Sequence, residues 1–139
     1  MKKSKKIITG ILVDTENGIS RFELDQSGNS REKLQRIYDA LKCDIIDIAT
    51  RKFGEHYYDI YLDDEGTFKP LEEQVPTIIG FNKGECVEQI VGNVFIVKHD
   101  GEGGMQSLTD EEMREVISTQ VVYEHPHLHK KKIAIGVTY

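Results

Sequence analysis

The chain of 139 residues is long enough for one domain with a single core. A net charge of −6 argues against a nucleic-acid partner, which would need clustered Lys and Arg, and it falls short of the dense acidity of a nucleic-acid mimic. No stretch approaches the roughly 18 consecutive apolar residues that cross a bilayer, and no secretory signal is recognisable, so a cytoplasmic protein with no membrane partner is expected.

IITGILV (7–13) and ISRFEL (19–24) are β-rich runs separated by DTENG, and Asn17-Gly18 supplies the positive φ of a tight hairpin turn. In the next segment Asn29 and Glu32 make a capping-box pair. Leu34, Ile37, Tyr38 and Leu41 follow at helical spacing, predicting an amphipathic helix over about 29–42. The period then changes to two. DIIDIATRKF (44–53) and YYDIYL (57–62), separated by GEH, predict a second hairpin. Ile46, Ile48, Tyr58, Ile60 and Leu62 are assigned to its inner face. Asp47, Arg51, Tyr57, Asp59 and Tyr61 are assigned to the outer one.

The stretch PLEEQVPTIIGFNKGE reads as irregular, because Pro70, Pro76, Gly80 and Gly84 interrupt it. VFIVK (94–98) is the strongest strand signal and is expected at the centre of a sheet. HDGEGGMQSLTDEE (99–112) reads as a glycine-rich turn into a helix over about 109–118, capped by Thr109 and Glu112. The segment 119–139 is expected to extend the 1–118 domain and to add a strand through IAIGVTY. The expected class is α+β, with antiparallel β-hairpins and two amphipathic helices packed on the sheet.

The N-terminal hairpin, the helix running into a short apolar strand, the YLDDEG turn, and VGNVFIV followed by SLTDEE occur in that order. Together they resemble a family of small domains of unknown function carried by phages, plasmids and conjugative elements, over roughly residues 7–118. The resemblance implies a mobile-element accessory protein acting in the cytoplasm of a bacterial host. It brings no catalytic residues with it.

Four places invite chemistry. The glycines of the 99–112 loop suggest an anion cradle, but Asp100, Glu102, Asp110, Glu111 and Glu112 occupy the same place and would repel an anion. In HPHLH, an extended backbone would aim His125, His127 and His129 one way as ligands for Zn²⁺ or Ni²⁺. The neighbouring lysines and the ~7 Å spacing of alternate strand residues weigh against that metal site. The outer face of the second hairpin offers Arg51, Tyr57 and Tyr61, with Lys52 and His56 at its end, a set able to stack a base and hold a phosphate. Cys43 and Cys86 lack metal or redox spacing and read as buried thiols, while no hydrolytic motif appears.

These readings point to a non-enzymatic binding protein without a cofactor that counters a host defence, with a small nucleotide signal as its ligand. The alternative is a module that docks directly on a host or phage protein. Exposed hairpin edges favour a homo-oligomer.

Overall fold

The computed structural model describes residues 6–139, so the basic run 2–6 lies outside the described residues except for Lys6. Ten strands and two α-helices occur in the order β1 (Ile7–Asp14), β2 (Gly18–Asp25), α1 (Ser30–Leu41), β3 (Ile46–Phe53), β4 (His56–Asp63), β5 (Pro76–Asn82), β6 (Glu85–Val91), β7 (Val94–His99), β8 (Met105–Gln106), α2 (Asp110–Ile117), β9 (Gln120–His125) and β10 (Lys130–Thr138). They build two sheets. The larger runs β2-β1-β7-β4-β3, with β8 pairing to the end of β7, and the smaller runs β6-β5-β10-β9. Mostly antiparallel sheet with two helices makes the protein α+β. The parallel pair is β5 with β10, two strands far apart in the chain and free of any hairpin constraint.

Both faces of the larger sheet are covered at its central strands, which is why β1 and β7 read as nearly unbroken apolar runs. On one face Ile11, Val13, Tyr58, Ile60, Val94 and Ile96 join Ile78, Ile135 and Val137 of the smaller sheet and Met113 and Val116 of α2. On the other, Ile8, Leu12, Tyr61, Phe95 and Val97 join Ile37 and Leu41 of α1. β7, between β1 and β4, is the middle strand of the larger sheet.

Both helices start where the local chemistry places them. Asn29 and Glu32 bond reciprocally at the start of α1, as Thr109 and Glu112 do at the start of α2, so two orphan amides are satisfied at each end. α1 stops at Lys42, which takes the left-handed conformation (φ 55°) usually left to glycine.

Of the stretch expected to be irregular, residues 70–75 form a short 3-10 turn and coil, but residues 76–85 instead build β5, its turn and the start of β6. Pro76 opens its first strand, where no inward amide is required, and Lys83-Gly84 forms a two-residue turn with both φ positive. Gly80 lets β5 pass close to the C-terminal residue, since a Cβ there would meet Tyr139 Cε2 at 2.7 Å. The last segment supplies two strands rather than one, and β10 runs inside the smaller sheet with Ala134 and Ile135 fully buried.

Candidate functional site

The second hairpin turns through two residues, Gly54 and Glu55, rather than the three of GEH. Phe53 therefore pairs with His56, Arg51 with Tyr58 and Lys52 with Tyr57. A one-residue change in a hairpin loop moves one strand's side chains to the opposite face relative to its partner. Arg51 thus shares a face with Tyr58 and His56, whereas Tyr57 and Tyr61 share the other with Lys52 and Ile48. The five residues do not form one surface.

Arg51 points between the sheets, donating from Nε and Nη2 to Glu88 of β6 at 2.8 and 2.6 Å, and Tyr139 Oη donates to the same carboxylate. His56 meets Glu115 of α2 at 2.8 Å, and the same Glu115 oxygen accepts from Tyr58. Tyr61 is buried with the α1 cluster, and burial raises its phenol pKa. Tyr57 is 67% exposed.

The three histidines also separate. β9 ends at His125 and the chain turns, so HPHLH is not extended and the alternation argument fails. His125 is 2% exposed. Its Nδ1 accepts from the amides of His127 and Leu128, which leaves the proton on Nε2 to donate to the Gln74 carbonyl at 2.9 Å. With both ring nitrogens committed to backbone, His125 fastens this turn to the segment before β5. Among the described residues, no three His, Cys, Asp or Glu side chains are placed to hold a metal ion.

The glycine-rich loop connects β7 to β8 before the chain reaches α2. Asp100 accepts from the amides of Glu102 and Gly104 at 2.7 and 2.9 Å, and these bonds lower its pKa. The loop amides that a phosphate would use are filled by the loop's own carboxylate. Of the thiols, Cys43 is half-buried and Cys86 is exposed, which corrects the expectation that both are buried. Burial, with Asp63 nearby, pushes the Cys43 thiol up to about 11, so it stays protonated and unreactive at neutral pH.

A different place gathers charge. At one end of the molecule a cleft of about 540 Å³ opens between the β1–β2 loop, the end of α1, the chain after β4, the β6–β7 turn and the start of β10. Four lysines line it, Lys42, Lys69, Lys130 and Lys132. Lys69 Nζ lies 3.0 Å from Asp63 and Lys42 Nζ lies 3.6 Å from Asp14, both carboxylates being largely buried. Lys132 Nζ donates to the Thr15 carbonyl, a neutral partner, at 2.8 Å.

The floor is rigid. Asn93 Oδ1 accepts from the Thr15 amide at 2.8 Å, and Thr77 Oγ1 donates to the Gly92 carbonyl at 2.6 Å. Gly92 sits at φ 91°, a conformation that a side chain would strain. Glu16, Glu72 and Glu73 also line the cleft, so its wall carries both signs. Burial alone would raise the pKa of Asp14, but the amides of Glu16 and Asn17 together with Lys42 outweigh it and lower it. Asp14 therefore stays ionised and holds Lys42 at the rim.

Sequence reasoning missed this site because its four lysines come from three separate segments. The KKK run (130–132) entered only as the lysines beside HPHLH, and nothing local links it to Lys42 or Lys69. Asp63 of YLDDEG and Gly92-Asn93 of VGNVFIV do fall in the cleft, so two of the motifs carrying the resemblance meet there.

Residues 8–120 match the family model described as Domain of unknown function (DUF3846), most of the chain, and the chain belongs to that family. Lys42, Asp63, Lys69, Gly92 and Asn93 fall inside the matched span, and Lys130 and Lys132 fall beyond it. Neither a curated protein nor a solved structure matches the chain. Among the described residues, no helix is long and apolar enough to cross a membrane.

Proposed function

We propose that the protein is a non-enzymatic binding domain that holds a small phosphorylated ligand in the four-lysine cleft. The observation that carries this reading is the convergence of Lys42, Lys69, Lys130 and Lys132 from separate segments in a chain of net charge −6. Glu16, Glu72 and Glu73 share the wall, yet among the described residues Lys130 and Lys132 form no ion pair, while Lys42 and Lys69 do. An anion entering beside Lys130 and Lys132 gains charge-assisted hydrogen bonds. The buried Asp14 and Asp63 keep their lysines oriented before any ligand arrives, which lowers the ordering cost of binding.

The cleft is lined by lysines, carboxylates, Thr15 and Asn93, groups that hold an anion by charge and hydrogen bonds. In the setting implied by the likeness to mobile-element proteins, the ligand is a nucleotide signal of a host defence, and binding withholds it.

Titration calorimetry of the full chain against cyclic and linear nucleotides tests this reading. At least one nucleotide should bind, and the double variant Lys130→Ala, Lys132→Ala should lose tenfold or more in affinity. No heat from any nucleotide with the protein folded would overturn the proposal. Recovery of a specific host protein under the same conditions would favour the alternative of direct protein docking.

A further inference from the structure

We infer that the ligand is a nucleotide held in two parts, its phosphates among the cleft lysines and its base against Phe68. The inference rests on the cleft being the binding site. Beside the cleft lies a hollow of about 260 Å³, lined by Phe68, Asp44 and Glu65 among others. The two spaces share Lys42, Asp63 and Lys69, so one molecule passing over this ion pair occupies both.

Phe68 is 83% exposed, the most exposed of the large apolar side chains. Its backbone, by contrast, is pinned. The Phe68 amide donates to the Glu65 carbonyl at 3.0 Å, closing a short 3-10 turn over Gly66–Phe68. Gln74 Nε2 donates to the carbonyls of Thr67 and Lys69, on either side of the ring, at 3.1 and 2.7 Å. Gly66 is buried so close to β6 that a Cβ would meet the Val91 carbonyl at 2.7 Å. A turn fixed this firmly could have buried its aromatic ring, yet it holds the ring out in water.

An exposed ring on a rigid backbone beside lysines is the arrangement that stacks a nucleobase while cations hold its phosphates. The acidic groups of the hollow set the direction. The hollow sets Asp44, Asp63 and Glu65 against two lysines, whereas the cleft sets four lysines against four carboxylates. The phosphates therefore favour the cleft and the base enters the hollow, where Asp44 and Glu65 accept from its amino groups.

Calorimetry with ATP and with inorganic tripolyphosphate, on the full chain and on its Phe68→Ala and Phe68→Tyr variants, tests the inference. The exposed ring contributes little to the core, and circular dichroism checks that each variant is folded. The full chain should bind ATP more tightly than tripolyphosphate. Phe68→Ala should weaken ATP by roughly 5- to 150-fold, as loss of one base stack does, and leave tripolyphosphate unchanged, while Phe68→Tyr should retain ATP binding. Equal affinity for the two probes, or no selective loss in Phe68→Ala, overturns the two-part site while the phosphate cleft stands. Failure of both probes together with every nucleotide of the panel overturns the cleft reading as well.

Discussion

Arg51 and Glu88 form a bidentate pair, at 2.8 and 2.6 Å, that ties β3 of the larger sheet to β6 of the smaller. Both side chains are roughly three-quarters buried, at 27% and 26% exposure, so water screens the pair only partly. Removing one partner leaves the other charge mostly buried without its fork of donors or acceptors. Arg51→Ala should therefore cost about 1.5–3 kcal/mol in chemical denaturation. Nucleotide affinity should stay unchanged, because Arg51 faces away from the cleft. A full-strength loss of binding with no loss of stability would contradict this placement.

The same pair contributes to the response to acid. The bond from Arg51 holds the Glu88 carboxyl below its ordinary value of 4.5, and Asp14, Glu112 and Glu115 are lowered as well. A carboxylate depressed in the folded state contributes stability that is present above its unfolded pKa and lost as pH falls through the folded one. Melting temperature should thus lose this contribution only below the ordinary carboxylate values of 3.8 and 4.5. The fall should be shallower in Glu88→Gln, whose parent group no longer titrates. Differential scanning calorimetry from neutral pH down to pH ~3 reads both slopes.

Lys42 ends α1 in a left-handed conformation that costs an L-residue about 1–2 kcal/mol, yet its side chain lines the cleft. Strain of this kind at a binding residue trades stability for position. Lys42→Gly should relieve it. Stability should hold or rise by up to about 1 kcal/mol, with Asp14 still bonded to the Glu16 and Asn17 amides, while nucleotide affinity falls. Thermal melts and calorimetry on one preparation check the two opposite changes.

His125 should behave as a structural residue. Its ring satisfies two amides and one carbonyl inside the protein, so His125→Ala leaves those groups unpaired and should cost about 2–4 kcal/mol. Addition of Zn²⁺ should leave the melting temperature of the parent chain unchanged, since RT ln(1 + [L]/Kd) is zero without native-state binding.

What the sequence disclosed was mostly local. Both capping boxes depend on residues three apart, Asn29 with Glu32 and Thr109 with Glu112, and both helices start where those pairs lie. The apolar run of β7 disclosed its middle place in the larger sheet in the same way, because burial on both faces leaves no alternation. Register was lost to a single residue. Counting GEH as the loop instead of Gly54-Glu55 transferred Arg51 to the face of Tyr57 and Tyr61 and assembled a site that the fold takes apart. The β5–β6 hairpin was hidden by Pro76, Gly80 and Gly84, each of which has a definite place in it. The cleft was beyond local reading, since Lys132 reaches Thr15 across 117 positions of chain.

The proposed place of a small phosphorylated ligand is among Lys42, Lys69, Lys130 and Lys132. The most direct measurement is an amide-resolved NMR titration of the ¹⁵N-labelled full chain with ATP. Saturable shifts should gather at Thr15, Lys42, Lys69, Asn93, Lys130 and Lys132, residues that line the cleft. Shifts centred instead on Lys52 and Tyr57 at the β3–β4 hairpin, or none at millimolar ATP, would contradict the account.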